Sequence, residues 1–162
     1  MEQLIKELAA YNNWANHKMT EWVNQLTEDQ FEKEIVSSFS SIKKTCMHIW
    51  SAQEVWICRL EGIGFDTKYL RNESITRTNL MNNIMNSSNR LKIFSDKLSE
   101  TDLQKDLNYQ NLKGEHFSNK IYGVLSHVFN HSTFHRGQLV TMLRQAGFTE
   151  LSSTDLISFF RI

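Results

Sequence analysis

The chain has 162 residues and a mass of 19.0 kDa, the size of one compact domain with a single sizeable core, so one domain spanning residues 1–162 is expected and a multidomain protein is excluded. With 40% apolar and 22% charged residues, the composition is that of an ordinary globular protein and not of a disordered or collagen-like one. Eighteen Lys and Arg balance eighteen Asp and Glu, which removes the basic excess expected of a nucleic-acid binder or of a protein drawn to anionic membranes.

Proline is absent and there are only six glycines, so little interrupts helices, and an all-α fold is the starting expectation. At the N-terminus, Glu2, Lys6 and Glu7 break what a signal peptide would need as a continuous apolar stretch, and no window approaches a membrane span, so a cytoplasmic location is expected. Leu4, Leu8, Tyr11, Ala15, Trp22 and Leu26 recur at three- and four-residue steps and predict a first helix over residues 2–26. Thr27 with Gln30 makes a capping box. Ser40 or Ser41 caps a second predicted helix that runs to Leu60, before Gly62 and Gly64 open a loop. Cys46 and Cys58 fall on that helix about 18 Å apart, beyond disulfide reach, and are read as free, partly buried thiols.

Thr78 is the expected cap of a third helix, with a stripe of Leu80, Ile84, Leu91, Phe94 and Leu98. The segment LNYQNLKGEHFSNK alternates around Lys113-Gly114 and predicts a small β-hairpin. Ser118 then caps a fourth helix ending near Gln145, with Gly147 as its stop. The tail STDLISFFRI should add one short helical turn against the rest. Four long helices with moderate connections predict a four-helix bundle.

The chemistry is concentrated in the fourth helix, where His127, His131 and His135 follow one another at steps of four. On a helical wheel His131 and His135 point with Val124, Val128, Leu139 and Met142, the stripe that faces the interior. Imidazoles at i and i+4 can converge on one ion. His48 shares a face of the second helix with Thr45, Ala52, Val55 and Trp56 and is the best third donor. Three neutral nitrogens leave at least one coordination position open, and imidazole suits zinc, nickel, copper and iron, with zinc or nickel favoured because no carboxylate joins the trio. With ordinary imidazole values near 6.5, such a site should lose its ion below about pH 6. His127 and Gln138 lie at the rim of the same face, placed to orient a ligand or relay a proton.

A single inward histidine is more often a hydrogen-bonded core residue than a ligand. His17 and His116 have no helical histidine partner and read as surface groups, and Glu54 falls off the His48 face. The tryptophans read as core, with Trp56 also able to wall a pocket, while Arg136 and Lys43-Lys44 read as solvated charges. No phosphate loop, nucleophile elbow or Cys-x-x-Cys pair is present.

Along nearly its whole length the chain resembles the DinB/YfiT-like family of metal-dependent proteins. The resemblance is carried by Tyr11-Asn12-Asn13-Trp14-Ala15-Asn16, by His48-Ile49 followed by Glu54 and Trp56, and by NHSTFHRGQLVTMLRQAG, with Thr154-Asp155-Leu156-Ile157 closing it. It implies a four-helix bundle, a divalent ion on His48, His131 and His135, and a homodimer. Phe134 stands where the family often has tyrosine. Relatives in that family include thiol-cofactor-dependent S-transferases and isomerases. Two classes of function follow: a metal-dependent transferase or hydrolase that activates water or a small-molecule thiol toward an electrophilic substrate, or a non-catalytic metal-binding stress or DNA-damage-inducible protein.

Overall fold

The computed structural model describes all residues 1–162. Eight helices and two strands follow in chain order: α1 (Glu2–Asn24), α2 (Glu28–Glu32), α3 (Ile42–Glu61), α4 (Thr67–Leu70), α5 (Arg77–Asp96), α6 (Glu100–Leu103), β1 (Asp106–Gln110), β2 (His116–Lys120), α7 (Ile121–Gln145) and α8 (Leu156–Phe159). The four long helices are those expected from the periodicity. Around the bundle, α1 packs on α5 and α7, and α3 packs on the same two helices from the opposite side. The expected hairpin is present as an antiparallel pair in which Gln110 faces His116, with Gly114 at φ 83° in its turn.

Local signals explain most boundaries. The Thr27–Gln30 capping box starts α2, Ser41 accepts the Lys44 N–H at the start of α3, and Gly62 ends α3 in the left-handed conformation. Two expected caps are corrected. Thr76, not Thr78, caps α5 by accepting the Asn79 N–H. Ser118 lies in β2, and α7 begins directly after the strand with no side-chain cap, its Ile121 N–H bonded to the Lys105 carbonyl instead. Leu4 is also corrected: it is 54% exposed, in the first turn of α1 and outside the buried stripe.

The tail folds onto α1. Tyr11 donates its hydroxyl to the Thr154 carbonyl at 2.8 Å, and Phe159 packs its ring 5.6 Å from Trp14 and 6.0 Å from Tyr11. Cys46 and Cys58 are free and buried, and burial pushes the Cys46 thiol up to about 12.

The largest departure from the sequence reading is Arg136, which is 2% exposed and not a solvated charge. One guanidinium nitrogen donates to Asn12 Oδ1 at 2.8 Å and Asn16 Oδ1 at 2.9 Å, and the other donates to Thr133 Oγ1 at 2.9 Å. The Asn12 and Asn16 amides donate in turn to Gln53 Oε1, and Asn16 also to Ser88 Oγ at 2.8 Å. Gln53 closes the layer by donating to Ser87 at 2.7 Å and Ser88 at 3.0 Å. The Arg136 charge rests on amide and hydroxyl oxygens and on the Tyr11 ring, 5.4 Å away, and burial pulls its pKa below the ordinary value.

This polar layer divides the core. Twenty buried residues, among them Met19, Trp50, Ile84 and Leu139, pack on one side of it, and eight, among them Ala9, Ile57, Leu91 and Val128, pack on the other. Truncating Arg136 to Ala strands the Asn12 and Asn16 acceptors and leaves a cavity, so Arg136→Ala should lose about 2–5 kcal/mol of stability. Leu4→Ala should change it by less than about 0.5 kcal/mol. Urea unfolding midpoints of the two variants check both.

Candidate metal centre

His48 on α3 and His131 and His135 on α7 meet where those helices pack against each other. The steps of four on α7 place His131 and His135 one above the other, and the neighbouring stripe, Val128, Leu139 and Met142, is buried. His48 Nε2 lies 3.0 Å from His131 Nε2 and 3.1 Å from His135 Nε2. The three ring centroids are 4.4–4.9 Å apart. No fourth His, Cys, Asp or Glu joins the group.

The donor set fits a divalent ion. Metal–imidazole bonds of about 2.0–2.1 Å put neighbouring nitrogens about 2.9 Å apart at right angles and about 3.3 Å apart at the tetrahedral angle, and both separations from His48 Nε2 fall in that interval, with all three ligand atoms within 4.8 Å of one another. His135 is held in a ligand tautomer: its Nδ1 donates to Gln138 Oε1 at 2.8 Å, which leaves the Nε2 lone pair directed at the other two rings. Gln138 is anchored in turn by its amide, which donates to Ser38 Oγ at 3.1 Å. Phe39, next in that loop, stacks on His48 at 4.2 Å and meets His135 edge-on at 5.7 Å, covering one side of the cluster.

The surroundings disfavour protonation of two of the imidazoles, His48 and His131. His48 and His131 are half-buried, and burial, reinforced by the neighbouring histidines, lowers each to about 4. Protons therefore compete for the His48 and His131 nitrogens only as the pH approaches about 4, well below the ordinary imidazole range.

His127 does not join the cluster. It is exposed, with its ring 5.8 Å from His131 and 5.5 Å from Trp56. Of the two rim residues expected to act on the site, Gln138 makes the direct contact. Glu54 faces away, as the wheel indicated, and pairs with Arg90 at 2.5 Å. His17 and His116 are exposed, and Phe134 is largely exposed with its ring 5.0 Å from His135. Lys43 is paired with Glu32 at 2.7 Å, while Lys44 is exposed. Ser38 and Phe39 have no counterpart in the sequence reading, because the loop before α3 carries no periodicity that would point either side chain toward the histidines.

The profile of the DinB family matches residues 1–159. The chain belongs to the DinB family. Protein DinB of Bacillus subtilis (strain 168) is 28% identical over 155 residues, which cover 91% of this chain and 89% of that protein. Two crystal structures share the fold. A DinB-like protein from Bacillus subtilis superimposes with a TM-score of 0.66 at 16% identity, over 91% of this chain and 97% of the other. A DinB-like protein from Bacillus cereus ATCC 10987 gives 0.63 at 18%, over 86% and 90%. This DinB-family chain thus carries a histidine triad compatible with metal binding, and none of its helices is long and apolar enough to cross a membrane.

The lowered imidazole values make a prediction for the metal-free protein. Between pH 6.5 and about 4 the unfolded chain binds protons at His48 and His131 that the folded chain refuses, so stability contributed by these groups is present above 6.5 and lost as the pH falls toward 4. The melting temperature of chelator-treated protein should fall across that window. Replacing His48 and His131 together by Gln should flatten the fall.

Proposed function

We propose that the protein is a metal-dependent enzyme of the transferase or hydrolase type, with a divalent ion held by His48, His131 and His135. The observation that carries this reading is the convergence of three Nε2 atoms, two of them at 3.0 and 3.1 Å from the third, from half-buried or buried imidazoles. Three protein donors with no fourth leave coordination positions for water or substrate, as catalytic sites do. The chemistry such an ion supplies is Lewis acidity, which brings a coordinated water or small-molecule thiol toward deprotonation near neutral pH.

The chain's own residues do the rest. Gln138 keeps a proton on His135 Nδ1 and so keeps Nε2 free to donate its lone pair. Phe39 shields the face of His48 from solvent. His127, exposed beside His131 and against Trp56, is placed to take up or return a proton at the mouth of the site. A cavity with His48 in its wall lies against the site, and it favours catalysis over a purely structural ion that would only tie α3 to α7. The geometry is compatible with zinc or nickel, and a homodimer is the assembly we propose for solution.

Elemental analysis of the purified protein tests the site. About one zinc or nickel per chain is expected in the wild type, and His131→Ala or His135→Ala should abolish retention. Gln138→Ala should weaken affinity about 10- to 100-fold, more than His127→Ala. Unchanged metal content in either ligand variant would reject the site.

A further inference from the structure

A cavity of about 640 Å³ lies beside the histidines, between α3, α4 and the β1–β2 turn, with His48 in its wall. Phe39, Met47, Val55, Trp56 and Leu70 make much of it apolar, while Lys44, Arg59 and Arg71 set three cations against the one carboxylate of Glu73. In a chain whose charges cancel, that excess is local to the cavity. None of the three cations has a carboxylate within 4.0 Å.

Arg59 is the best ordered of the three. Its guanidinium carbon sits 4.7 Å from the Trp56 ring, 4.9 Å from Tyr109 and 5.7 Å from Phe65. One nitrogen donates to the Gln110 carbonyl at 2.7 Å. The rings and that bond fix the fork while its other donors have no protein acceptor, a pre-organised arrangement suited to a planar anion. Burial also draws the Arg59 pKa down.

We propose that this cavity binds the substrate and that the substrate is an amphipathic small-molecule carboxylate. Its apolar body lies along Val55 and Trp56, its carboxylate sits on the Arg59 fork in the field of Arg71 and Lys44, and its reacting end points toward His48. Only the last clause rests on the metal-dependent reading above. The apolar wall with few convergent polar groups is the usual makeup of a small-molecule site.

The test uses chelator-treated protein, so that no carboxylate can bind an ion, and compares naphthoate with its neutral analogue naphthylmethanol by NMR titration. Naphthoate should bind about 10- to 100-fold more tightly. Arg59→Gln should remove most of that preference and leave naphthylmethanol binding unchanged, and Arg59→Lys should restore part of it. Equal affinity for the two probes, or a preference that survives Arg59→Gln, would overturn the proposal. Should Arg59→Gln fail to fold, the Lys44→Gln, Arg71→Gln double variant, at two exposed positions, carries the test: an unchanged preference overturns the proposal, and a loss of about 5-fold supports it. A protein that holds no metal yet prefers naphthoate rejects the metal reading alone. One that holds metal without the preference rejects this inference alone.

Discussion

The candidate metal centre depends on the axial register of α3 against α7, and that register is set by the buried polar layer next to it. Gln53 lies five positions beyond His48 on α3, and Arg136 directly follows His135 on α7. Asn12 and Asn16 of α1 bond to both of them, and Ser87 and Ser88 of α5 complete the layer. Apolar contacts tolerate sliding by a fraction of a turn, because one methyl group replaces another at similar cost. A hydrogen-bonded layer does not, since any slip leaves an amide or a guanidinium buried without a partner. The layer therefore places His48 Nε2 about 3 Å from its two counterparts, a tolerance that hydrophobic packing alone would not impose.

α7 serves both functions through its two faces. His131 and His135 use the side turned to α3, while Arg136, about 100° further around, reaches toward α1. The loop before α3 adds the outer contacts, Ser38 through Gln138 and Phe39 through ring stacking. Converging imidazoles, an oriented tautomer and a cover on one side are thus supplied by segments far apart in the chain but fixed to the same pair of helices.

Much of this was legible from the residues. The four helices follow from apolar periodicity, the hairpin from alternation around Lys113-Gly114, and the triad from the i,i+4 spacing on α7 with an inward histidine on α3. What escaped depends on partners distant in sequence. Arg136 reads as a surface charge because nothing local shows that Asn12, Asn16 and Gln53 will surround it, and a buried arginine without a carboxylate contradicts the ordinary cost of burying charge. Leu4 fits the helical stripe but lies at an end of α1 where the core has already closed. The low pKa values of His48 and His131 were likewise hidden, since the burial that lowers them exists only once the helices meet.

The central claim is that three imidazoles from α3 and α7 hold one ion and leave positions open beside it. K-edge X-ray absorption of the purified protein at its native metal tests this most directly. The account predicts a first shell of light atoms at about 2.0–2.1 Å with the outer-shell scattering of three imidazole rings, together with at least one further oxygen or nitrogen that exchanges when a small thiol is added. A sulfur ligand in the untreated protein, or scattering from fewer than three imidazoles, would contradict it.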